Sequence, residues 1–292
     1  MDLELFERDR HVTFLQMMYQ LLPSPYQSQE INRLTLAYFV ISGLDLLNSL
    51  DRLVDKDAVA TWVLSLQAHP RSTAELNNGQ FYGFHGSRTA QFPPENNDNG
   101  ALNPSVSNLA STYCALALLK IVGYNLSSID SESILTSMRN LQQPDGSFMP
   151  IHTGAETDLR FVYCAAAICH MLGNWSGMDK EKAKEYILKC QRQAADGGFQ
   201  GRPNKPSDTC YAFWIASVLK ILGGHKFIDK KALHGFLLTC QSEYGGFSKF
   251  PGQLPDLYHS YYGLTAFSLL EEPGLNPLCV ELGMTAIAAM GI

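Results

Sequence analysis

The chain has 292 residues, of which 46% are hydrophobic, and its formal net charge is -6 with a pI near 5.7. This hydrophobic content is ample for a large core, and the acidic balance excludes nucleic acid as the expected partner, because phosphate binding needs a basic face. No apolar run reaches the roughly 18 residues that cross a bilayer, and the charged N-terminus lacks a signal-peptide core, so we expect a protein that does not span a membrane.

The predicted elements are helical from the start of the chain. Apolar spacing predicts a helix over residues 28–50, with Gly43 as a break or a close-packing point, and a second helix over residues 57–66. Residues 68–107 are rich in Asn, Gly, Pro and Ser, which indicates a long irregular connection. Because strand signals are weak throughout, we predict an all-α protein.

Two kinds of helix alternate from about residue 100 to residue 272. Outer helices that begin with Asp are predicted at 130–142, 179–191 and 229–241. Inner helices, which are apolar almost all round, contain the runs 113–122, 163–172, 213–222 and 261–270. Such hairpins bury their apolar faces only against their neighbours, so we predict one continuous array over residues 1–292 that closes into an α/α toroid.

The inner helices start in register, which brings potential metal ligands together. Their first residues are 50, 50 and 48 positions apart and are Asn108, Asp158, Asp208 and Asp256. Cys210 is the third residue of one copy, and His259 is the fourth residue of the next. Because inner-helix N-termini converge at one mouth of a toroid, we expect Asp208, Cys210 and His259 to lie close together.

A carboxylate, a thiolate and an imidazole are a ligand set that suits zinc, and three protein ligands leave the open position that catalytic zinc sites have. The sequence therefore predicts a zinc site at Asp208, Cys210 and His259. The alternative is structural: Asp208 caps a helix, Cys210 is an ordinary buried thiol, and His259 is a satisfied core residue.

Two cations directly precede this predicted site. Arg202 and Lys205 are held apart by prolines beside a helix start, which favours a cradle for phosphate or diphosphate, although a solvated basic turn is the alternative. Aromatic residues surround the same helix starts and suit a cavity for a long apolar tail, unless they are plain core residues. They are Phe161, Tyr163, Tyr211, Phe213, Trp214, Tyr258, Tyr261 and Tyr262.

Three segments carry a family resemblance, and they read GRPNKPSDTCYAFW at 201–214, DLRFVYCA at 158–165 and GGFSKFP at 245–251. Together they resemble the β subunits of the protein prenyltransferases, in particular the type I geranylgeranyltransferases. The resemblance covers nearly the whole chain, from about residue 8 to residue 272. It implies the α/α toroid that prenyltransferases share with terpenoid cyclases.

The resemblance also implies an activity. A β subunit of this family pairs with a helical-repeat α subunit and transfers geranylgeranyl from its diphosphate to the Cys of a C-terminal C-a-a-X motif, as in small GTPases. One zinc ion per β subunit would be bound by Asp208, Cys210 and His259, with the substrate thiol in the open position. The seven cysteines lie mostly in apolar patterns, which suits a reducing, cytoplasmic location.

Further roles are implied by position in the family pattern. Arg202, Lys205 and Tyr211 would stabilise the departing diphosphate, and Arg160 and Trp214 would line the prenyl site.

Thr35, with Phe39 a turn later, stands where farnesyltransferases carry a bulky Trp, so a longer tail would fit. Lys249 replaces a magnesium-binding carboxylate, so no magnesium requirement is expected. Asn108 and Tyr258 differ from other members beside the last residue of the peptide, which leaves the preference at that residue open.

One repeat of the family pattern is missing from this sequence. The pattern has a further hairpin, with a His-Gly-Gly motif, between the helix ending at Cys190 and the turn at Gly197. Here His-Gly occurs only at 85–86 and 234–235, out of register, and Gln191 and Gln193 both precede the turn as if two helix ends were joined. We therefore expect a toroid that lacks one hairpin of roughly 50 residues.

This loss leaves two functions open. The first is a zinc-dependent geranylgeranyltransferase β subunit. The second is a catalytically impaired isoform that binds the α subunit without catalysis. A farnesyl- or Rab-type relative is disfavoured by Thr35 and by the 201–214 match.

Overall fold

The structure, a computed structural model, describes residues 6–51, 54–91, 107–189, 194–200, 206–221, 226 and 228–290. These residues are mainly α-helical, with one two-stranded antiparallel ribbon of β1 (Leu278–Cys279) and β2 (Met284–Thr285) near the C-terminus. The helices are α1 Arg8–Gln20, α2 Arg33–Leu46, α3 Lys56–Leu64, α4 Thr73–Leu76, α5 Leu109–Ile121, α6 Ser131–Met138, α7 Leu159–Met171, α8 Lys180–Lys189, α9 Thr209–Ile221, α10 Lys230–Thr239, α11 Leu257–Leu269 and α12 Ala286–Ala289.

Short 3-10 turns supplement these helices at Ser24–Asn32, Arg88–Ala90, Leu126–Ser128 and Arg139–Leu141. The chain divides into two compact units. The first unit contains residues 1–23, 36–54 and 190–291, and the second contains residues 24–35, 55–189 and 292. None of the described helices is long and apolar enough to cross a membrane.

The predicted register of the inner helices is confirmed by their caps. Each of the four register residues accepts a hydrogen bond from a backbone N–H in the first turn of its own helix, at distances of 2.8 to 3.0 Å. A side-chain acceptor at this position satisfies a donor that the helix itself cannot pair. The register residues therefore fix where α5, α7, α9 and α11 begin.

In the second unit, α5 and α7 pack side by side, and the start of α5 is bonded to two turns. The Asn108 N–H donates to the Phe84 carbonyl at 3.2 Å, and the Leu109 N–H donates to the Pro150 carbonyl at 2.9 Å. The outer helices α6 and α8 begin after Asp130 and Asp179, as predicted, but α6 ends in a 3-10 turn. The first predicted helix also differs, because Ser24–Asn32 is a kinked 3-10 segment and α2 starts only at Arg33.

In the first unit, the N-terminal helix α1 takes the place of an outer helix. The turn glycine Gly197 has φ +88°, and a Cβ there would meet the carbonyl of Ala232 in α10. Gly245 has φ +87°, and a Cβ there would meet the carbonyl of Arg10 in α1. Both turns need glycine for the positive φ and for the close backbone approach. Thus α1 packs on the last turn just as α10 packs on the turn before it.

His11 anchors α1 to that last turn. The Gly246 N–H donates to its Nδ1 at 2.8 Å, so Nε2 carries the proton and donates to Gln241 Oε1 at 3.1 Å. The ring is 1% exposed and stacks on Phe6 and on Phe247, with centroids 4.9 and 4.7 Å away. Burial lowers the pKa of His11 to about 4, although the hydrogen bond to Gln241 acts in the opposite direction.

This lowered pKa predicts a loss of stability in acid. Between the unfolded pKa of 6.5 and the folded pKa of about 4, the unfolded chain binds a proton that the folded chain excludes, so stability falls as the pH falls through that range. Between pH 7 and pH 5 the His11 contribution is about 2 kcal/mol. Denaturant unfolding should show that, from pH 7 to pH 5, the stability of His11→Asn falls by about 2 kcal/mol less than that of the unchanged chain. Equal losses in the two proteins would contradict this assignment.

Candidate functional site

The candidate site forms where one backbone segment, Phe247–Lys249, holds the starts of two inner helices. The Asp256 N–H, at the start of α11, donates to the Phe247 carbonyl at 3.2 Å. The Thr209 N–H, at the start of α9, donates to the Lys249 carbonyl at 3.3 Å. Because α9 and α11 also pack side by side, their N-termini lie next to each other. The early residues of both helices therefore face one small volume.

That volume contains the three predicted ligands. Donor atoms of Asp208, Cys210 and His259 all lie within 4.8 Å of one another, and no other such group was found in the part of the chain that the structure describes. The three residues are 8%, 3% and 8% exposed. The sequence prediction that neighbouring repeats bring these residues together is confirmed.

Asp256 is a site residue that the sequence reasoning used only as a register mark. Its Oδ1 accepts the His259 backbone N–H at 2.8 Å, and its Oδ2 lies 2.6 Å from His259 Nδ1. Nδ1 therefore donates to Asp256, and Nε2 is left facing Asp208, with 3.3 Å between Nε2 and Asp208 Oδ1. The sequence signal that could have predicted this contact is an Asp at a helix start three residues before a His.

The charges around the cluster are coupled. Burial lowers the pKa of His259, but hydrogen bonds to Asp208 and Asp256 outweigh it, and the net shift is upward. Burial raises the pKa of Asp208, but hydrogen bonds to His259 and Cys210 outweigh it, and the net shift is downward. The Lys249 Nζ lies 3.7 Å from Asp208 Oδ2 and adds a further positive charge. The carboxylate of Asp208 is thus kept ionised.

Aromatic residues adjoin the cluster within the first unit. The Trp214 Nε1–H donates to the Tyr258 hydroxyl at 3.4 Å, and Tyr258 is the residue before His259. Phe39 packs edge-on against Tyr258 with ring centroids 5.4 Å apart, and Tyr262 packs against Trp214 at 4.7 Å. Tyr211, on the same helix as Trp214, is also buried. The predicted Phe39, Tyr211 and Trp214 therefore belong to the same unit as the cluster.

The other predicted residues lie elsewhere. Arg160 pairs with Asp158 at 2.9 Å and stands 5.7 Å from the ring centroid of Phe161, all in the second unit. Thr35, also in the second unit, is hydrogen-bonded to Cys114. Arg202 and Lys205 lie outside the described residues, as do the junction residues Cys190, Gln191 and Gln193. Their predicted roles stay predictions.

The residues present fit a zinc ion. One oxygen, one sulfur and one nitrogen donor converge in a buried place, and His259 is oriented by a carboxylate on its other ring nitrogen, as metal-bound histidines usually are. Three donors are fewer than the four that close a structural zinc site. A metal ion held by these three donors would have room for one further ligand.

Comparison with known proteins identifies the fold family. A family profile described as "Prenyltransferase alpha-alpha toroid domain" matches residues 6–194 and 190–284. A solved structure titled "Candida albicans protein geranylgeranyltransferase-I complexed with GGPP" superimposes with a TM-score of 0.70 and 21% identity, covering 98% of both chains. The chain belongs to the prenyltransferase alpha-alpha toroid family, so the all-α toroid class predicted from the sequence is confirmed.

Two curated relatives place the chain within that family. The Geranylgeranyl transferase type-1 subunit beta of Arabidopsis thaliana is 59% identical over 98% of this chain and 91% of the relative. The protein of the same name from Dictyostelium discoideum is 33% identical, over 94% of each chain. The chain is thus a prenyltransferase β subunit of the type-1 geranylgeranyl class, as the motifs at 158–165, 201–214 and 245–251 predicted.

The same comparisons bear on the missing hairpin. The alignment with the Arabidopsis protein is 344 positions long and this chain has only 292 residues, so at least 52 aligned positions have no residue here. The family profile matches in two stretches that meet at residues 190–194, the predicted junction. The number of unmatched positions and the two-part family match are in keeping with the expected loss of one hairpin, which stays a prediction.

The position of Asp256 generates a prediction about zinc retention. Asp256→Asn keeps a helix-capping side chain but removes the carboxylate from His259 Nδ1, so zinc affinity should fall about 10- to 100-fold, as is usual for such outer partners. A competition titration with a chromophoric chelator measures this directly. Asp229→Asn, which changes the equivalent cap of α10 away from the site, is the matched control and should leave the affinity unchanged. A loss no larger than that of the control would show that Asp256 only caps α11.

Proposed function

We propose that the chain is the β subunit of a zinc-dependent protein geranylgeranyltransferase. The observation that supports this most is the buried convergence of Asp208, Cys210 and His259 in a chain of the type-1 class. In this proposal the reaction joins a geranylgeranyl group, supplied as its diphosphate, to the thiol of a C-terminal C-a-a-X cysteine.

Asp208, Cys210 and His259 would hold one zinc ion. A zinc ion with one open position binds an incoming thiol and keeps it deprotonated at neutral pH. The protein residues contribute orientation and exclusion of water: Asp256 fixes the ring of His259, and the burial of all three donors keeps solvent from their polar atoms. A thiolate is the nucleophilic form that attack on the prenyl carbon requires.

The remaining groups would hold the prenyl diphosphate. The Lys249 ammonium lies beside Asp208, where it disfavours a second divalent cation, which supports a reaction without magnesium. Together with Arg202, Lys205 and Tyr211 it would balance charge on the departing diphosphate. Phe39, Trp214 and Tyr258 would offer an apolar surface to the tail. For Arg160 and Phe161 the prenyl-binding role is the one that the resemblance implies. A prenyltransferase α subunit would be the stable partner, in the cytoplasm.

Transfer to a peptide ending in Leu, measured with purified α subunit and geranylgeranyl diphosphate, tests this proposal. We expect a zinc-dependent rate that Cys210→Ser reduces at least about tenfold, because the soft donor is lost. Cys240→Ser, a buried cysteine outside the cluster, is the control. No transfer by a chain that still binds the α subunit would support the second function, an isoform that occupies the α subunit without catalysis.

The missing hairpin favours that second function for one specific reason. Loss of a unit removes part of the cavity wall and the family's His-Gly-Gly motif, yet leaves the cluster intact. We therefore expect zinc binding to persist while diphosphate affinity and turnover fall.

Inserting the corresponding hairpin of the Arabidopsis relative at the junction measures this loss. The restored chain should turn over at least about tenfold faster, a difference of about 1.4 kcal/mol in transition-state stabilisation. Zinc affinity should be the same in both chains. Equal turnover by the two chains would contradict the expected impairment.

Thr35 supplies a prediction about prenyl length. Thr35→Trp adds bulk where the proposed tail ends, so affinity for geranylgeranyl diphosphate should fall at least about tenfold relative to farnesyl diphosphate. Competition binding with the two diphosphates measures this ratio without needing turnover. Thr35→Ser keeps the hydroxyl that bonds to Cys114 and should leave the ratio unchanged. An unchanged ratio in Thr35→Trp would remove Thr35 from the site.

A further inference from the structure

A second concave site lies in the first unit, on the side of α10. Its volume is about 520 Å³, within the range of small-molecule pockets. One face of α10 forms the floor, and the chain segments beside the candidate metal centre form the walls. The lining residues on which the inference depends are Lys231, Gly235, Phe236, Pro206, Ser207 and Phe250.

Gly235 is the lining residue of α10 that leaves the most open space. A Cβ at Gly235 would meet no atom within 4 Å, so neither packing nor backbone conformation requires glycine there. Glycine within a helix weakens the helix relative to alanine, so Gly235 lowers the stability of α10 and no packing contact requires it. The open space above Gly235 is therefore available to a ligand rather than to the fold.

The walls are mainly apolar, and charged groups stand at the rim. Lys231 and Asp196 belong to the lining, and the Lys249 Nζ lies 5.1 Å from the Phe250 ring centroid. Phe236, Phe250 and Pro206 offer rings, and proline has no backbone N–H to present. The Asp196 carboxylate, also at the rim, already accepts from the Gly198 N–H at 3.0 Å and from the Ser207 hydroxyl at 2.7 Å. Lys231 is exposed and has no ion-pair partner among the described residues, so its ammonium can attract an anion.

We propose that this hollow binds a small aromatic monoanion, with its ring over Gly235 between Phe236 and Phe250 and its anionic group toward Lys231. The site is separate from the metal centre, since none of the three cluster residues lines it. It is nevertheless adjacent, because Ser207 and Phe250 are the chain neighbours of Asp208 and Lys249. The inference goes beyond the proposed function and does not depend on it.

Three naphthalene compounds of similar size and different charge test the proposal: 1-naphthoate, 1-naphthalenemethanol and 1-naphthylmethylammonium. Binding to the full chain is measured by calorimetry. The anion should bind best, and Lys231→Gln should reduce its affinity by about fivefold, to the level of the neutral compound. Lys230→Gln, the neighbouring lysine that does not line the hollow, should have no effect.

Gly235→Leu fills the hollow and should abolish binding of all three compounds. Thermal unfolding verifies that this variant stays folded, and Lys231→Gln tests the site independently if it does not. Binding to the zinc-free chain should equal binding to the zinc-loaded chain, which separates this site from the metal centre. Retention of naphthoate binding in a folded Gly235→Leu variant, stronger binding of the cation, or equal effects of Lys230→Gln and Lys231→Gln would overturn the proposal.

Discussion

The candidate site depends on two backbone hydrogen bonds from one short segment. Phe247 accepts from the start of α11, and Lys249 accepts from the start of α9, so a single turn positions the N-termini of two successive inner helices. A backbone N–H at a helix start needs a partner outside the helix, and this turn supplies it. Because the side chains of Cys210 and His259 extend from those first turns, the same bonds bring them together with Asp208.

The ionisable side chains at these helix starts are buried, and they are stabilised by charged neighbours. Three ionisable groups in a buried place are costly unless each has a partner, and here every partner is local. Asp256 orients His259, His259 contacts Asp208, and Lys249 lies beside Asp208. These contacts keep the Asp208 carboxylate ionised. They also leave an imidazole nitrogen of His259 and the thiol of Cys210 facing the same point, which is the donor set that a zinc ion with an open position requires.

The sequence predicted the parts of the fold that depend on local rules. The register that places Asp208 and Asp256 at helix starts followed from repeat spacing, and it led directly to the metal cluster. It did not predict that residues 24–32 form a 3-10 segment, because their apolar spacing resembles that of α2. The role of Asp256 toward His259 and the hollow over Gly235 could be recognised only from three-dimensional contacts. In the sequence, an Asp that orients a His looks like any capping Asp, and a Gly that lines a hollow looks like any helical Gly.

The candidate metal cluster lies on one side of the junction where the sequence predicts a missing hairpin. The cluster is built by α9, α11 and the turn at Phe247–Lys249, all on one side of the junction, so its formation does not require the missing unit. X-ray absorption of the zinc-loaded chain tests this central claim most directly. We predict one sulfur at about 2.3 Å with nitrogen and oxygen neighbours at about 2.0–2.2 Å, and loss of the protein sulfur in Cys210→Ser. A zinc ion with no sulfur neighbour, or one that keeps its sulfur in that variant, would contradict it.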